Sequence, residues 1–214
     1  MAAELEQPPL LRGVFHLGAF VAAVAAGIVL GVLADGGLET ASSWLYVATL
    51  AAMFGMSALY HRFPWRSAAK RLWARRLDHS TIFVFIAGTY TPFALLCLDG
   101  VMRWAMLAVV WAGALLGLAL ELAWIDSPRW LSAVAYLMVG WVGVITIPQL
   151  FSGTGVAVAT LLVVGGGLYS LGAVIYATKW PDPFPRIFGY HEVFHLLVVA
   201  AAVTQFVAVS LVVM

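Results

Sequence analysis

Long apolar runs separated by short polar or Pro/Gly-rich breaks dominate the pattern of hydrophobic and polar positions along the chain. A bilayer hydrocarbon core about 30 Å thick takes roughly 20 helical residues. The runs predict seven membrane spans: Val14–Ala34, Ser43–His61, Thr81–Leu98, Met102–Trp124, Trp130–Leu150, Val156–Thr178 and Tyr190–Val213. We therefore expect an all-α integral membrane protein, a seven-transmembrane helix bundle in which residues 1–214 form a single domain.

The composition supports this prediction. Of the 214 residues, 64% are hydrophobic and 10% are charged, whereas about a quarter of an ordinary soluble domain is charged. The mean hydropathy is +1.00. These values exclude a water-soluble globule and a disordered chain, and the single cysteine, Cys97, cannot form an internal disulfide. The net charge of +1 provides no overall field that would attract nucleic acid.

Lysine and arginine are distributed unequally between the two predicted sides of the membrane. Ten lie on one side, namely Arg12, Arg62, Arg66, Lys70, Arg71, Arg75, Arg76, Arg129, Lys179 and Arg186, and Arg103 lies alone on the other. Because cytoplasmic loops carry the excess of positive charge, this bias predicts an inside N-terminus and an outside C-terminus. The longest basic segment, residues 62–76, interleaves its charges with Trp65, Leu72 and Trp73. This pattern favours either a short helix lying on anionic headgroups or the topology signal by itself.

Ionisable residues inside the apolar spans are few, and each is a candidate functional residue because a charge in the bilayer is costly. They are His61, Asp78, His79, Glu121, His191, Glu192 and His195, whereas His16 lies at the edge of the first span. In the predicted orientation the second span ends, and the third and seventh spans begin, at the cytoplasmic boundary. Three imidazoles and one carboxylate therefore fall at nearly the same depth, where they can meet. These residues are His61, Asp78, His191 and His195.

Histidines gathered at one depth suggest a metal. His191 and His195 are four residues apart, which places both on one face of a helix. The segment also contains the H-E-x-x-H pattern of zinc proteases, but residues 196–214 hold no Asp, Glu or His as a third ligand. We therefore expect the third ligand from another span, with His61 as the candidate. Three imidazoles with a fourth position open to water are typical of a catalytic zinc site; the alternative is that the histidines hydrogen-bond across helix interfaces.

The remaining polar residues each have more than one interpretation. Asp78 is either a general base or the N-cap of the third helix. Ser57 would bind an oxyanion, orient Asp78 or bond a carbonyl of its own helix. His79 lies about 100° round the helix from Asp78 and is expected to form hydrogen bonds at a helix interface. Glu192 would pair with a basic loop residue, hold a histidine or share the base role. Glu121 lies deep without an obvious partner, either protonated or facing an internal cavity.

Four segments of the chain carry a resemblance: Ser57-Ala-Leu-Tyr-His61, Leu77-Asp78-His79-Ser80, Gly88-Thr89-Tyr90-Thr91-Pro92 and Gly189-Tyr190-His191-Glu192-Val193-Phe194-His195. Together with seven spans they resemble the hemolysin III branch of the progestin and adipoQ receptor family, which is related to adiponectin receptors and alkaline ceramidases. The resemblance covers essentially the whole chain and implies a multi-pass protein of the bacterial plasma (inner) membrane. It also implies a zinc ion, Zn²⁺, held by His61, His191 and His195, with Asp78 holding a water on the zinc and Ser57 beside it.

Three function classes follow from these residues. The first is a zinc-dependent membrane hydrolase that acts on a lipid amide or ester, with Asp78 moving the proton of a zinc-activated water, and that serves membrane homeostasis. The second is a non-enzymatic protein in which zinc fixes helix packing and the bundle senses the bilayer, or a hemolysin-type pore former. The third is an ion or proton carrier. Membrane lipids are the expected partners in the first class, and nucleic acid is not expected in any of them.

Overall fold

The structure is a computed structural model that describes residues 9–214, except for the side chain of Ser152. Within this range seven segments are long and apolar enough to cross a membrane. The helices are α1 (Val14–Leu33), α2 (Gly37–Arg62), α3 (Ala68–Cys97), α4 (Gly100–Ala123), α5 (Arg129–Gly140), α6 (Ile147–Thr154), α7 (Val156–Thr178) and α8 (Tyr190–Val213). The predicted seven-transmembrane bundle is confirmed, while the inside N-terminus and the outside C-terminus remain predictions.

Two helices begin earlier than the hydropathy pattern predicts. Helix α2 begins at Gly37, and near its start the hydroxyls of Ser42 and Ser43 donate hydrogen bonds to the carbonyl of Glu39. Helix α3 begins at Ala68, thirteen residues before the predicted start of its span, and Ser67 caps it by accepting a hydrogen bond from the Lys70 amide.

The early start of α3 changes the interpretation of the basic segment. Residues 68–76 form the first turns of α3, so the expected separate helix on the membrane surface is wrong. Its Ala, Lys, Arg and Leu residues are strong helix formers, and no Pro or Gly separates them from the apolar part of α3. The basic turns therefore extend a membrane helix beyond the apolar core.

The fifth span is broken, although its apolar run predicts one continuous helix. Helix α5 ends at Gly140, a 3₁₀ helix covers Val142–Thr146, and α6 completes the span. Backbone groups freed inside a membrane need protein partners, and the hydroxyl of Tyr90 supplies them here. It accepts a hydrogen bond from the Gly143 amide at 3.0 Å and donates one to the Gly140 carbonyl.

Helices α2 and α3 form the centre of the bundle. About half of each apolar stretch is buried, 56% in α2 and 50% in α3, against 22–39% in the other five spans. Helix α8 packs against α1, α2, α3 and α7. The end of α2 and the start of α8 are therefore brought together beside α3, at the end of the bundle that carries Arg12 and Arg62.

Candidate metal centre

Three histidines meet where α2 ends and α8 begins. His61 lies in the last turn of α2, and His191 and His195 lie in the first two turns of α8. One nitrogen from each ring lies within 4.8 Å of the other two, and the Nε2 atoms of His61 and His191 are 3.2 Å apart. We call these residues the histidine triad. The sequence-based expectation that the three imidazoles meet is confirmed.

The geometry of the triad suits a tetrahedral metal ion. Two nitrogens bound to zinc at 2.0–2.1 Å, with a tetrahedral angle between them, are about 3.3 Å apart. The Nε2 atoms of His61 and His191 have nearly this separation. Imidazoles are ligands for zinc and other transition metals, whereas magnesium and calcium prefer oxygen. The triad can therefore hold a metal ion.

Local interactions fix where α8 starts and so where its histidines point. Asp182, in the loop before α8, accepts a hydrogen bond from the Tyr190 amide at 2.8 Å. Glu192 accepts one from the Gly189 amide, also at 2.8 Å. These bonds satisfy amides at the helix start that have no partner inside the helix. The start of α8 is thereby fixed by the loop before it and by its own first turn.

Asp78 lies beside the triad, in the interior of α3. Its Oδ2 atom is 3.7 Å from His61 Nε2, beyond direct hydrogen bonding and at a distance that a water can bridge. The side chain of Ser57, on α2, forms a hydrogen bond with the Asp78 carboxylate, and the expected role in which Ser57 orients Asp78 remains a prediction. The alternative in which Asp78 caps the third helix is wrong, because the N-cap of α3 is Ser67, eleven residues before Asp78.

Glu192 is fully buried and forms an ion pair with Arg12. The Nε atom of Arg12 donates to Glu192 Oε1. Arg12 belongs to a short segment before α1 in which the amides of Leu10 and Leu11 donate to the carbonyls of Arg186 and Ile187, both at 3.1 Å. The expected pairing of Glu192 with a basic residue is therefore the one that the structure shows, and it ties the chain before α1 to the start of α8.

His16 is a fourth imidazole at this site. Its side chain is buried, and its ring stacks on His195 with centroids 3.7 Å apart and planes 11° apart. His16 does lie at the edge of the first span, as expected, but it is buried against His195 and belongs to the site, which the hydropathy pattern did not indicate. The signal in the sequence is its depth, because the first predicted span also begins on the basic side of the membrane.

A second polar cluster surrounds Glu121. The Oε1 atom of Glu121 accepts a hydrogen bond from Ser132 at 2.7 Å and lies 3.4 Å from the Tyr136 hydroxyl, and Oε2 lies 3.4 Å from His79 Nδ1. The expectation that Glu121 has no obvious partner is wrong, since three side chains from two other helices converge on it. His79 forms the expected hydrogen bond at a helix interface.

A narrow cavity of about 200 Å³ runs from the triad into the bundle. Its walls include Ser57, Asp78 and His191 at one end and Leu98 at the other. Asp78 and Leu98 are twenty residues apart along α3, about 30 Å at 1.5 Å per helical residue. The broken fifth span lines the side of the cavity, and most of its surface is apolar.

Seven spans around buried histidines and an aspartate define the class of protein, a multi-pass membrane protein with a candidate metal centre at one end of the bundle. A family model described as "Haemolysin-III related" matches residues 6–206, so the chain belongs to this family, the hemolysin III branch of the progestin and adipoQ receptor family. The resemblance based on the sequence motifs is confirmed. Together with its Bacillus relatives, the fold makes the chain a multi-pass integral protein of the bacterial plasma membrane.

The chain is similar in sequence to proteins from bacteria and plants. The chain is 36% identical over 133 residues to "Hemolysin-3 homolog" of Bacillus subtilis (strain 168) and 34% identical over 134 residues to "Hemolysin-3" of Bacillus cereus; each match covers 62% of the chain. These matches cover 60% and 58% of the two relatives. "Heptahelical transmembrane protein ADIPOR2" of Oryza sativa subsp. japonica is 34% identical over 161 residues, which is 68% of the chain and 69% of the relative.

Proposed function

We propose that this protein is a zinc-dependent, membrane-embedded hydrolase that acts on a lipid amide or ester and serves membrane homeostasis. The observation that carries the proposal is the position of the Asp78 carboxylate, 3.7 Å from a triad nitrogen and in the wall of an apolar cavity. An acidic group that only braced the helices would not need to lie where a substrate carbonyl can reach it.

The triad would hold the zinc, with Asp78 and Ser57 beside it. Zinc bound by three imidazoles lowers the pKa of a coordinated water to about 7 and polarises a carbonyl. The Asp78 carboxylate takes up the proton of the attacking water and returns it to the amine or alcohol that leaves. The hydrogen bond from Ser57 holds that carboxylate in position for both transfers.

The cavity suits the hydrocarbon part of a lipid. A volume of about 200 Å³, spread along the length of α3, fits one extended acyl chain better than a compact molecule. Its apolar walls exclude water from the chain, while the polar end places the scissile carbonyl near the triad and Asp78. Membrane lipids are therefore the proposed substrates, reached from within the bilayer.

The test is Asp78→Asn, assayed on purified protein in liposomes. Asn is close to Asp in shape, so zinc content by elemental analysis and thermal stability should stay near the wild-type values. Fatty acid release from an N-acyl sphingosine or a diacylglycerol should fall by about 10²- to 10⁴-fold, because the proton acceptor is lost. Asp99→Asn is the matched control, since the side chain of Asp99 is 90% exposed and remote from the triad.

A structural role for zinc is the second candidate function. The triad joins α2 to α8, two helices that otherwise touch little, and a metal would pin them together. In that case Asp78→Asn would leave both metal content and cellular function unchanged. A wild-type protein that binds zinc and releases no fatty acid from either lipid would also favour the structural role.

A further inference from the structure

The cluster around Glu121 is separate from the histidine triad and has no role in the proposed reaction. Glu121 lies on α4, is 4% exposed and faces three potential donors, of which His79 is on α3 and the other two are on α5. The single proton of the Tyr136 hydroxyl is shared between Glu121 Oε1 and the His79 carbonyl, 3.3 Å away. A buried carboxylate that faces several donors is satisfied in its ionised form.

The Glu121 carboxylate selects the tautomer of the His79 imidazole. In a neutral imidazole one nitrogen donates and the other accepts, and the hydrogen bond at one nitrogen selects the tautomer. Glu121 Oε2 lies opposite Nδ1, so in the neutral imidazole this bond selects the tautomer in which Nδ1 donates and Nε2 keeps a lone pair. His79 lines the cavity beside Asp78, with 17% of its side chain exposed. Its accepting nitrogen is therefore the one available to a molecule in the cavity.

We propose that His79 Nε2 binds a hydroxyl or amine donor on the polar end of the lipid substrate, with Glu121 holding the imidazole in the accepting tautomer. This inference rests on the proposed function and deepens it, because it names the class of lipid: one that carries a hydrogen-bond donor near its scissile carbonyl. His79 and Asp78 are neighbours about 100° apart on α3, so they bound the same end of the cavity from different directions. His79 thus determines specificity, whereas Asp78 serves the chemistry.

Substitutions can test the roles of the two His79 nitrogens one at a time. The amide nitrogen of Asn lies close to the position of Nδ1, so His79→Asn keeps a donor toward Glu121 and removes the acceptor at Nε2. Glu121→Gln keeps the shape of the carboxylate but offers an amide donor to Nδ1, which favours the opposite tautomer. Ser132→Ala removes one donor from Glu121 without touching His79, and it is the matched control for loss of a bond in this cluster.

The first experiment compares two amides with the same acyl chain. N-palmitoyl sphingosine carries hydroxyl donors near the amide, and N-palmitoyl hexadecylamine carries none. The wild type should prefer the hydroxylated amide in kcat/KM, and His79→Asn should reduce that preference about tenfold through KM, at unchanged metal content. Glu121→Gln should do the same, and Ser132→Ala should keep the preference. An unchanged preference in His79→Asn, or an equal loss on both amides, overturns the inference.

The second experiment does not need turnover. Protein labelled with ¹⁵N-histidine should show His79 with an unprotonated Nε2, whose resonance 1-hexadecanol shifts and hexadecane does not. The absence of a shift with the alcohol overturns the inference even where the amides are hydrolysed. If the wild type hydrolyses neither amide but the alcohol shifts Nε2, the hydrolase function fails while the donor-binding site stands.

Discussion

Removing Arg12 should destabilise the protein far more than its position before the first helix suggests. The side chain of Glu192 is 0% exposed and that of Arg12 is 21% exposed, so Arg12→Ala leaves a carboxylate buried with only the Gly189 amide as a hydrogen-bond partner among the described residues. Breaking a buried ion pair by removing one partner costs about 3–5 kcal/mol, because the remaining charge has no counter-ion. We expect the free energy of unfolding to fall by this amount.

The measurement is equilibrium unfolding by SDS in mixed micelles, followed by the fluorescence of the nine tryptophans. Asp99→Asn is a suitable control, because it breaks an ion pair with Arg103 in which the Asp99 side chain is 90% exposed. Exposed pairs with this i,i+4 spacing contribute about 0.5 kcal/mol or less. The difference between the two variants reports the effect of burial.

The double variant Arg12→Ala/Glu192→Gln separates the buried charge from the lost contact. Gln still accepts from the Gly189 amide and carries no charge, so the double variant should recover at least half of the stability lost in Arg12→Ala. Two results would refute the reasoning: an Arg12→Ala protein about as stable as the Asp99→Asn control, or a double variant no more stable than Arg12→Ala.

Three other outcomes are expected. Alanine at any position of the histidine triad should abolish stoichiometric zinc in elemental analysis, whereas His79→Ala should retain it; equal loss in both would mean that the ligand set is wrong. A reporter fused after Met214 should be active outside the cytoplasm, and activity only inside would reverse the predicted topology. Gly117→Ala should cost about 1–3 kcal/mol in SDS unfolding because its methyl group would meet the Phe83 ring, whereas Gly167→Ala, with open space around it, should be neutral or stabilising.

Local sequence patterns were enough to predict the spans and the meeting of the triad. The bounds of the first, fourth, sixth and seventh spans agree with the helices to within two residues, because the bilayer thickness sets the length of an apolar run. The meeting of His61, His191 and His195 was predictable from their common depth together with the four-residue spacing that places His191 and His195 on one face of a helix.

The tertiary structure decided which side chains at the same depth contact one another. Depth does not say which way a helix is rotated about its axis, so the sequence does not show that Glu121 faces His79 or that His16 stacks on His195. It also does not show the break in the fifth span, where freed backbone groups are stabilised by Tyr90, a residue of α3 about fifty positions earlier. Hydropathy is a property of each segment by itself, whereas side-chain pairing depends on the rotation and approach of two helices, and only the packed bundle determines these.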